Sequence, residues 1–179
     1  MPLRAIGPIQ KSLLLAASAV AAVLLAACGK RAPQEVLLAD GTHIILLNGT
    51  RAVEGAGFPQ NREIQLEGNG QVFIEARRQD KSLTVRTGLL ILTVDGDTAF
   101  RALVSSEKIG EQAEVLYGHV RAAKAYPSNF AEPDELAAGE MSMINKSIDL
   151  MEKEKFDPSE LARWSKDVTA AAQGRGAGG

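Results

Sequence analysis

The chain predicts a mainly β domain followed by one C-terminal helix, and three observations carry that expectation. Over residues 35–150, short apolar runs are separated by Gly, Asn, Asp and Pro at strand-and-turn spacing. Within most of those runs apolar and polar residues alternate with a period of two, as they do in half-buried strands. Beyond them, Asp157-Pro158-Ser159-Glu160 is a helix start. Asp157 can cap free amides, Pro158 suits the first helical position, and Glu160 is spaced to complete a capping box.

Taken in order, residues 43–47 are rich in β-branched and aliphatic side chains, and Asn48-Gly49 is a dipeptide that readily takes positive φ twice. With residues 50–53 beyond it, this predicts a two-residue hairpin. Residues 63–66 alternate, residues 70–76 place Val72, Ile74 and Ala76 on one face, and residues 83–85 alternate again. Residues 89–94 are almost wholly apolar and predict a strand covered on both sides. Asp95-Gly96-Asp97 would turn it back onto residues 98–104 as a central pair, with Gly96 at positive φ. A polar connection at 105–110 precedes residues 113–117, a Gly118 break and residues 120–125, read as another pair. Residues 127–133 are a loop. Residues 141–151 fit a hairpin, although Ile144, Ile148 and Met151 also fit helical spacing; the hairpin is favoured. The helix expected over residues 157–172 has a stripe of Leu161, Trp164 and Val168 to pack on the sheet. Residues 173–179 are glycine-rich and expected to be a disordered tail.

The N-terminal segment indicates where the chain resides. Arg4 and Lys11 form a basic region ahead of an uncharged run, residues 12–27, that ends in small residues, as in a secretory signal peptide. At 16 residues the run is shorter than the roughly 20 that a spanning helix needs. Leu25-Ala26-Ala27-Cys28, which contains the chain's single cysteine, resembles the lipobox of bacterial lipoproteins. That resemblance implies acylation of Cys28 and cleavage before it; an ordinary cleavage site beside an incidental cysteine is the alternative. Each buried acyl methylene contributes about 0.8 kcal/mol, so several chains make a durable anchor. Gly29 after the cysteine, by the same resemblance, points to the outer membrane. Residues 28–34 would be a tether and residues 35–156 the β domain.

Losing the leader moves the net charge from −2 to −4 and leaves about 150 residues, enough for one domain with a packed core. No basic patch is interleaved with aromatics, so no nucleic-acid partner is expected. With Cys28 consumed by lipid, no thiol remains for a disulfide or a thiolate metal site.

Five segments in order resemble the FecR domain, the envelope-side module of the FecR signalling family. They are Leu38-Ala39-Asp40-Gly41-Thr42 with Leu47-Asn48-Gly49-Thr50, then Gly70-Gln71-Val72-Phe73-Ile74-Glu75-Ala76, then Val94 to Ala102 around Gly96 and Phe100, then Val115-Leu116-Tyr117-Gly118-His119-Val120, and finally Leu136-Ala137-Ala138-Gly139-Glu140. Gln71 replaces the family's usual glutamate, and one extra residue separates Gly96 from Thr98. The resemblance implies a two-layer antiparallel sandwich or a solenoid-like domain, with Asp40, Gly41, Asn48, Gly70, Gly96, Phe100, Gly118, Gly139 and Glu140 as structural positions. Signalling members also carry a cytoplasmic anti-sigma segment and usually a second periplasmic domain. Neither is expected here, so no direct sigma-factor contact is expected, and the partner would be an envelope protein.

No catalytic constellation emerges. His43 and His119 sit in strand segments with no ligand-spaced neighbours in sequence, and Asp95-Gly96-Asp97 is too short for a calcium loop. Glu107, Glu111 and Glu114 read as a solvated surface rather than a carboxylate pair. The expectation is no enzyme, no cofactor and no metal. Trp164 could anchor a partner but is expected in the core, with Phe73 and Phe100. Binding of a glycan or another wall component is the alternative function, and it lacks support because aromatics make up only 4% of the chain.

For the anchor, Cys28→Ser is expected to abolish fatty-acid incorporation and to leave a soluble or uncleaved form. Labelled palmitate still entering the variant would refute the assignment.

Overall fold

Why the short strands of the described residues build this domain follows from their alternation: the central strands each have one face made largely of aliphatic side chains and need a second layer to cover it. The computed structural model describes residues 32–130 and 132–174. The strands are β1 (Gln34–Leu37), β2 (His43–Leu46), β3 (Arg51–Glu54), β4 (Glu63–Glu67), β5 (Gly70–Ala76), β6 (Leu83–Arg86), β7 (Leu90–Val94), β8 (Thr98–Val104), β9 (Gly110–Tyr117), β10 (His119–Lys124), β11 (Asp134–Ala137), β12 (Glu140–Asn145) and β13 (Leu150–Lys155), followed by helix α1 (Pro158–Gln173). They form a seven-stranded sheet, β1-β2-β5-β8-β9-β12-β13, and a six-stranded sheet, β11-β10-β7-β6-β4-β3. All pairings are antiparallel except β4 with β6.

The inner faces share one core. Ile44, Val72, Ile74, Phe100 and Val115 of the larger sheet pack with Ile64, Leu66, Val85, Leu92 and Val120 of the smaller one. This is the sandwich form of the expected fold. The outer face of the larger sheet has its own apolar cluster, in which Ile45, Phe73 and Ala99 meet Val168, Trp164 and Ala172 of α1. Trp164 packs edge-on against Phe73, with ring centroids 6.0 Å apart, and the Arg101 guanidinium lies 4.7 Å over its ring. Trp164 and Val168 of the expected stripe therefore pack on the sheet, and Leu161 is buried as well. Asp157 caps the helix by accepting from the Ser159 amide. The Ser159 hydroxyl donates to the other oxygen of the same carboxylate at 2.8 Å, so Asp157 takes both cap bonds from Ser159 in place of the expected capping box with Glu160.

Three expected pairings are corrected. Asn48 and Gly49 do have positive φ, 56° and 81°, yet the turn does not close a hairpin: β2 lies in the larger sheet and β3 in the smaller. The same holds for β7 with β8 across Asp95-Gly96-Asp97, and for β9 with β10 across Gly118. Each turn carries the chain from one layer to the other. β7 is consequently buried on alternate residues, not on both faces. Gly96 is not among the positive-φ residues, and a Cβ there would touch nothing within 4 Å. Residues 141–151 form the favoured hairpin, β12 with β13, through a short 3-10 turn at Lys146–Ile148. Strand β1 starts at Gln34, the last residue of the expected tether. The leader, including Leu25, Ala26, Ala27 and Cys28, and the tail from residue 175 lie outside the described residues. Among the described residues no helix is long and apolar enough to cross a membrane.

The two turn glycines separate cleanly. Gly118 has φ +82°, and a Cβ on it would lie 2.3 Å from Thr98 Oγ1 and 2.5 Å from the Asp97 carbonyl. Gly118→Ala is expected to lower unfolding stability by at least about 2 kcal/mol. Gly96→Ala is expected to change it by less than about 0.5 kcal/mol. Paired urea melts check both.

A candidate protein-contact surface

The family-motif positions resolve into scaffold roles. Asp40 accepts from the Thr42 amide and hydroxyl, both at 2.9 Å, and from Arg62 Nε at 2.7 Å, with both ion-pair side chains almost fully buried. Arg62 also donates to the carbonyls of Lys81 and Arg77. One guanidinium thus ties the β1–β2 turn to the β5–β6 connection. Arg62 escapes a reading of the sequence because an arginine beside a strand start signals nothing until its partner is known. Gly41, Asn48, Gly118 and Gly139 occupy positive φ, whereas Gly70 permits a close approach to the Leu47 carbonyl. Phe100 is fully buried in the shared core. Glu140 accepts from the Ala137 amide and pairs with Lys153 at 3.0 Å. These two contacts, the amide first, hold its carboxyl below the ordinary value.

Two expectations about carboxylates change. Glu111 and Glu114 are buried, not solvated. Glu111 binds the Gly88, Leu89 and Ser105 amides and the Thr87 hydroxyl, while Glu114 pairs with Arg101 beneath Trp164. Glu107 remains exposed. His43, isolated in sequence, lies between Glu35 at 2.6 Å and Glu75 at 3.2 Å. Cross-strand register brings them together, since His43 faces Glu75 on β5. Among the described residues no group of three or more His, Cys, Asp or Glu side chains could hold a metal ion. Asp95 and Asp97 bond to Ser82 and to the Arg78 amide, as turn residues do.

The unusual surface lies at one end of the sandwich. Four of the seven exposed large apolar side chains among the described residues, Ile109, Phe130, Ile148 and Leu150, come from three adjoining loops there. The Lys146 amide donates to the Ile109 carbonyl at 2.8 Å, which joins the β12–β13 turn to the β8–β9 turn. Ile148 and Leu150 form the divide between two grooves. One, of about 400 Å³, lies over the outer face and includes Leu103, Met143 and Glu152. The other, of about 530 Å³, includes Phe130, Glu132, Asp134 and Met151. Contiguous exposed apolar surface of this kind marks contact sites more often than scattered single residues do.

An ion pair between a buried lysine and a partly exposed aspartate fixes the surface. Lys124 Nζ, on a side chain only 2% exposed, donates to Asp149 Oδ1 at 2.8 Å, to the Asp149 carbonyl at 2.7 Å and to Ser128 Oγ at 2.9 Å. The Ser128 hydroxyl donates to Asp149 Oδ2 at 2.8 Å and accepts from the Phe130 amide at 3.0 Å. Asp149 itself sits at φ 50°, a left-handed conformation that these bonds offset. The network holds Phe130 and Ile148 outward instead of letting them collapse onto the core.

The sequence matches the FecR protein family over residues 26–121. No curated protein matches it. Two crystal structures of a candidate anti-sigma factor from Parabacteroides distasonis ATCC 8503, at 2.50 Å and 1.65 Å resolution, each share the fold with a TM-score of 0.64 and 22% identity. The alignment covers 76% of this chain and 61% of the other, so this chain spans about three fifths of that protein's length. At that identity the likeness is one of fold. Strands β11–β13 and helix α1 lie beyond the family match.

The Lys124 ammonium, then the Ser128 hydroxyl, hold the Asp149 carboxyl below its ordinary value of 3.8. A carboxyl whose pKa is depressed by folding contributes stability that is complete above its unfolded pKa and is lost as pH falls through the folded one. Asp149→Asn is therefore expected to be less stable than wild type at pH 7, with the gap closing as pH falls from about 4 toward 2. Urea midpoints across that range check it; a gap that stays constant would contradict the assignment.

Proposed function

Because the chain belongs to the FecR family of envelope-associated signalling regulators, we propose that it is a lipid-anchored, non-enzymatic contact module that meets another envelope protein. In this reading Cys28 carries the lipid, residues 28–34 form the tether, and the β domain faces the periplasm from the outer membrane. The partner in this reading is another envelope protein.

The observation that carries the reading is the gathering of Ile109, Phe130, Ile148 and Leu150 at one end of the sandwich, held outward by the Lys124–Asp149 pair. Full burial of a side chain of this size contributes about 1.5–3 kcal/mol. A few such residues give a modest affinity once the cost of association is subtracted. Tethering both proteins to one envelope compensates, because it raises the effective concentration without adding contacts.

A photo-reactive amino acid at Ile148, Leu150 or Phe130 is expected to yield the same discrete adduct in intact cells. The same probe at Lys166, on the exposed side of α1, is expected to yield none. Absence of an adduct from all three positions would refute the contact surface.

A further inference from the structure

Among the described residues strand β13 is a free edge of the larger sheet, and its sequence sorts charge by face. It reads Leu150-Met151-Glu152-Lys153-Glu154-Lys155. Pairing with β12 sets Glu152 opposite Met143 and Glu154 opposite Met141, and Met143, Leu150 and Glu152 line the outer groove. Leu150, Glu152 and Glu154 therefore share the outer face. Met151 packs against the shared core, and Lys153 reaches across to Glu140 and the Glu135 carbonyl. Lys155 lies opposite Glu140 on that same side. Glu152 and Glu154 have no ion-pair partner among the described residues.

This sorting excludes one occupant and selects another. A second copy extending the sheet through a twofold axis must set outer residues opposite outer residues, because strand side chains alternate between faces. Within β13 a glutamate could then meet only a glutamate or Leu150, and a lysine only a lysine or Met151. Like charges directly opposite each other destabilise a strand pair. The edge is thus coded against itself, while its backbone remains open to a different strand.

We propose that β13 receives an extended segment of the partner protein that runs antiparallel to it. That segment carries two basic residues at alternate positions opposite Glu154 and Glu152, followed by an apolar pair, the first opposite Met151 on the core side and the second opposite Leu150 on the outer face, beside the groove lined by Leu103, Met143 and Ile148. The proposal rests on the contact-module reading and names the chemistry of the partner. Backbone hydrogen bonds give a strand added at a sheet edge its affinity, and side chains on alternate positions give it selectivity.

The test uses the full-length protein in detergent and three labelled hexapeptides, followed by fluorescence anisotropy. Thr-Arg-Thr-Arg-Val-Ile places arginine opposite the two glutamates. Arg-Thr-Arg-Thr-Val-Ile has the same composition with arginine on the other face, and Thr-Glu-Thr-Glu-Val-Ile reverses the outer charge. Wild type is expected to bind the first about tenfold more tightly than the second, the sum of a few cross-strand charge pairs. The Glu152→Lys/Glu154→Lys variant is expected to prefer the third over the first. Its two positions are exposed, and its circular dichroism should match wild type. Equal binding of the first two peptides by wild type would overturn the proposal. So would failure of the double variant to reverse preference, or self-association in sedimentation that the double variant abolishes. If the peptides fail to discriminate while cross-linking at Ile148 persists, the contact surface stands and the strand chemistry falls. If both fail, both readings fall.

Discussion

Every tight turn in this domain reverses the chain, and that single constraint fixes the direction of each strand. Odd- and even-numbered strands run in opposite directions, whether the turn keeps the chain in one sheet or carries it to the other. Neighbours of opposite parity are antiparallel, which covers all pairings but β4 with β6. That pair is parallel because one strand, β5, rather than a hairpin, makes the excursion into the larger sheet between them. Several points of transfer, at Asn48-Gly49, Gly68, Gly118 and Gly139, use positive φ, while Asp95-Gly96-Asp97 crosses without it. Gly118 is one of these, and its missing Cβ leaves room for Thr98 and the Asp97 carbonyl.

The central strands of the larger sheet are covered on both faces and the smaller sheet chiefly on one. The inner faces make a common core, while α1 covers part of the outer face through Trp164, Phe73 and Ile45. The helix lies across β1, β2, β5, β8 and β9, and the outer side chains of β13 beyond them are exposed. The apolar loops and the charge-sorted edge lie in that exposed region. Its shape is held by the Lys124–Asp149–Ser128 network, so a polar interaction keeps apolar side chains exposed. A partly exposed ion pair offers little net stability; here its contribution is to tie two loops together at once.

Polar positioning recurs elsewhere in the fold. Asp40 and Arg62 join connections from two parts of the chain, and Glu111 satisfies three backbone amides at the other end. In sequence these residues resemble ordinary surface charge. What distinguishes them is burial with complete hydrogen bonding, a property of the assembled sandwich. Sequence alone therefore assigns Glu111 and Glu114 to solvent and passes over Arg62 and Lys124.

By itself the sequence determined what is local. Alternation with a period of two placed most strands within a residue or two, Asn48-Gly49 took positive φ, and Asp157-Pro158 began the helix where its cap required. Order along the chain also carried the family resemblance, through Asp40-Gly41, Gly70, Phe100 and Gly139-Glu140. Exposed edge strands were the exception. β1 and the second half of β13 have charged or polar residues on both faces and give little alternation to read. Only the tertiary structure decided which strands pair. An alternating strand states which of its faces is buried, and that demand is met equally well by a neighbour in the same sheet or across a turn in the other. Covering both inner faces at once removes the ambiguity, and it also leaves β13 as the open edge.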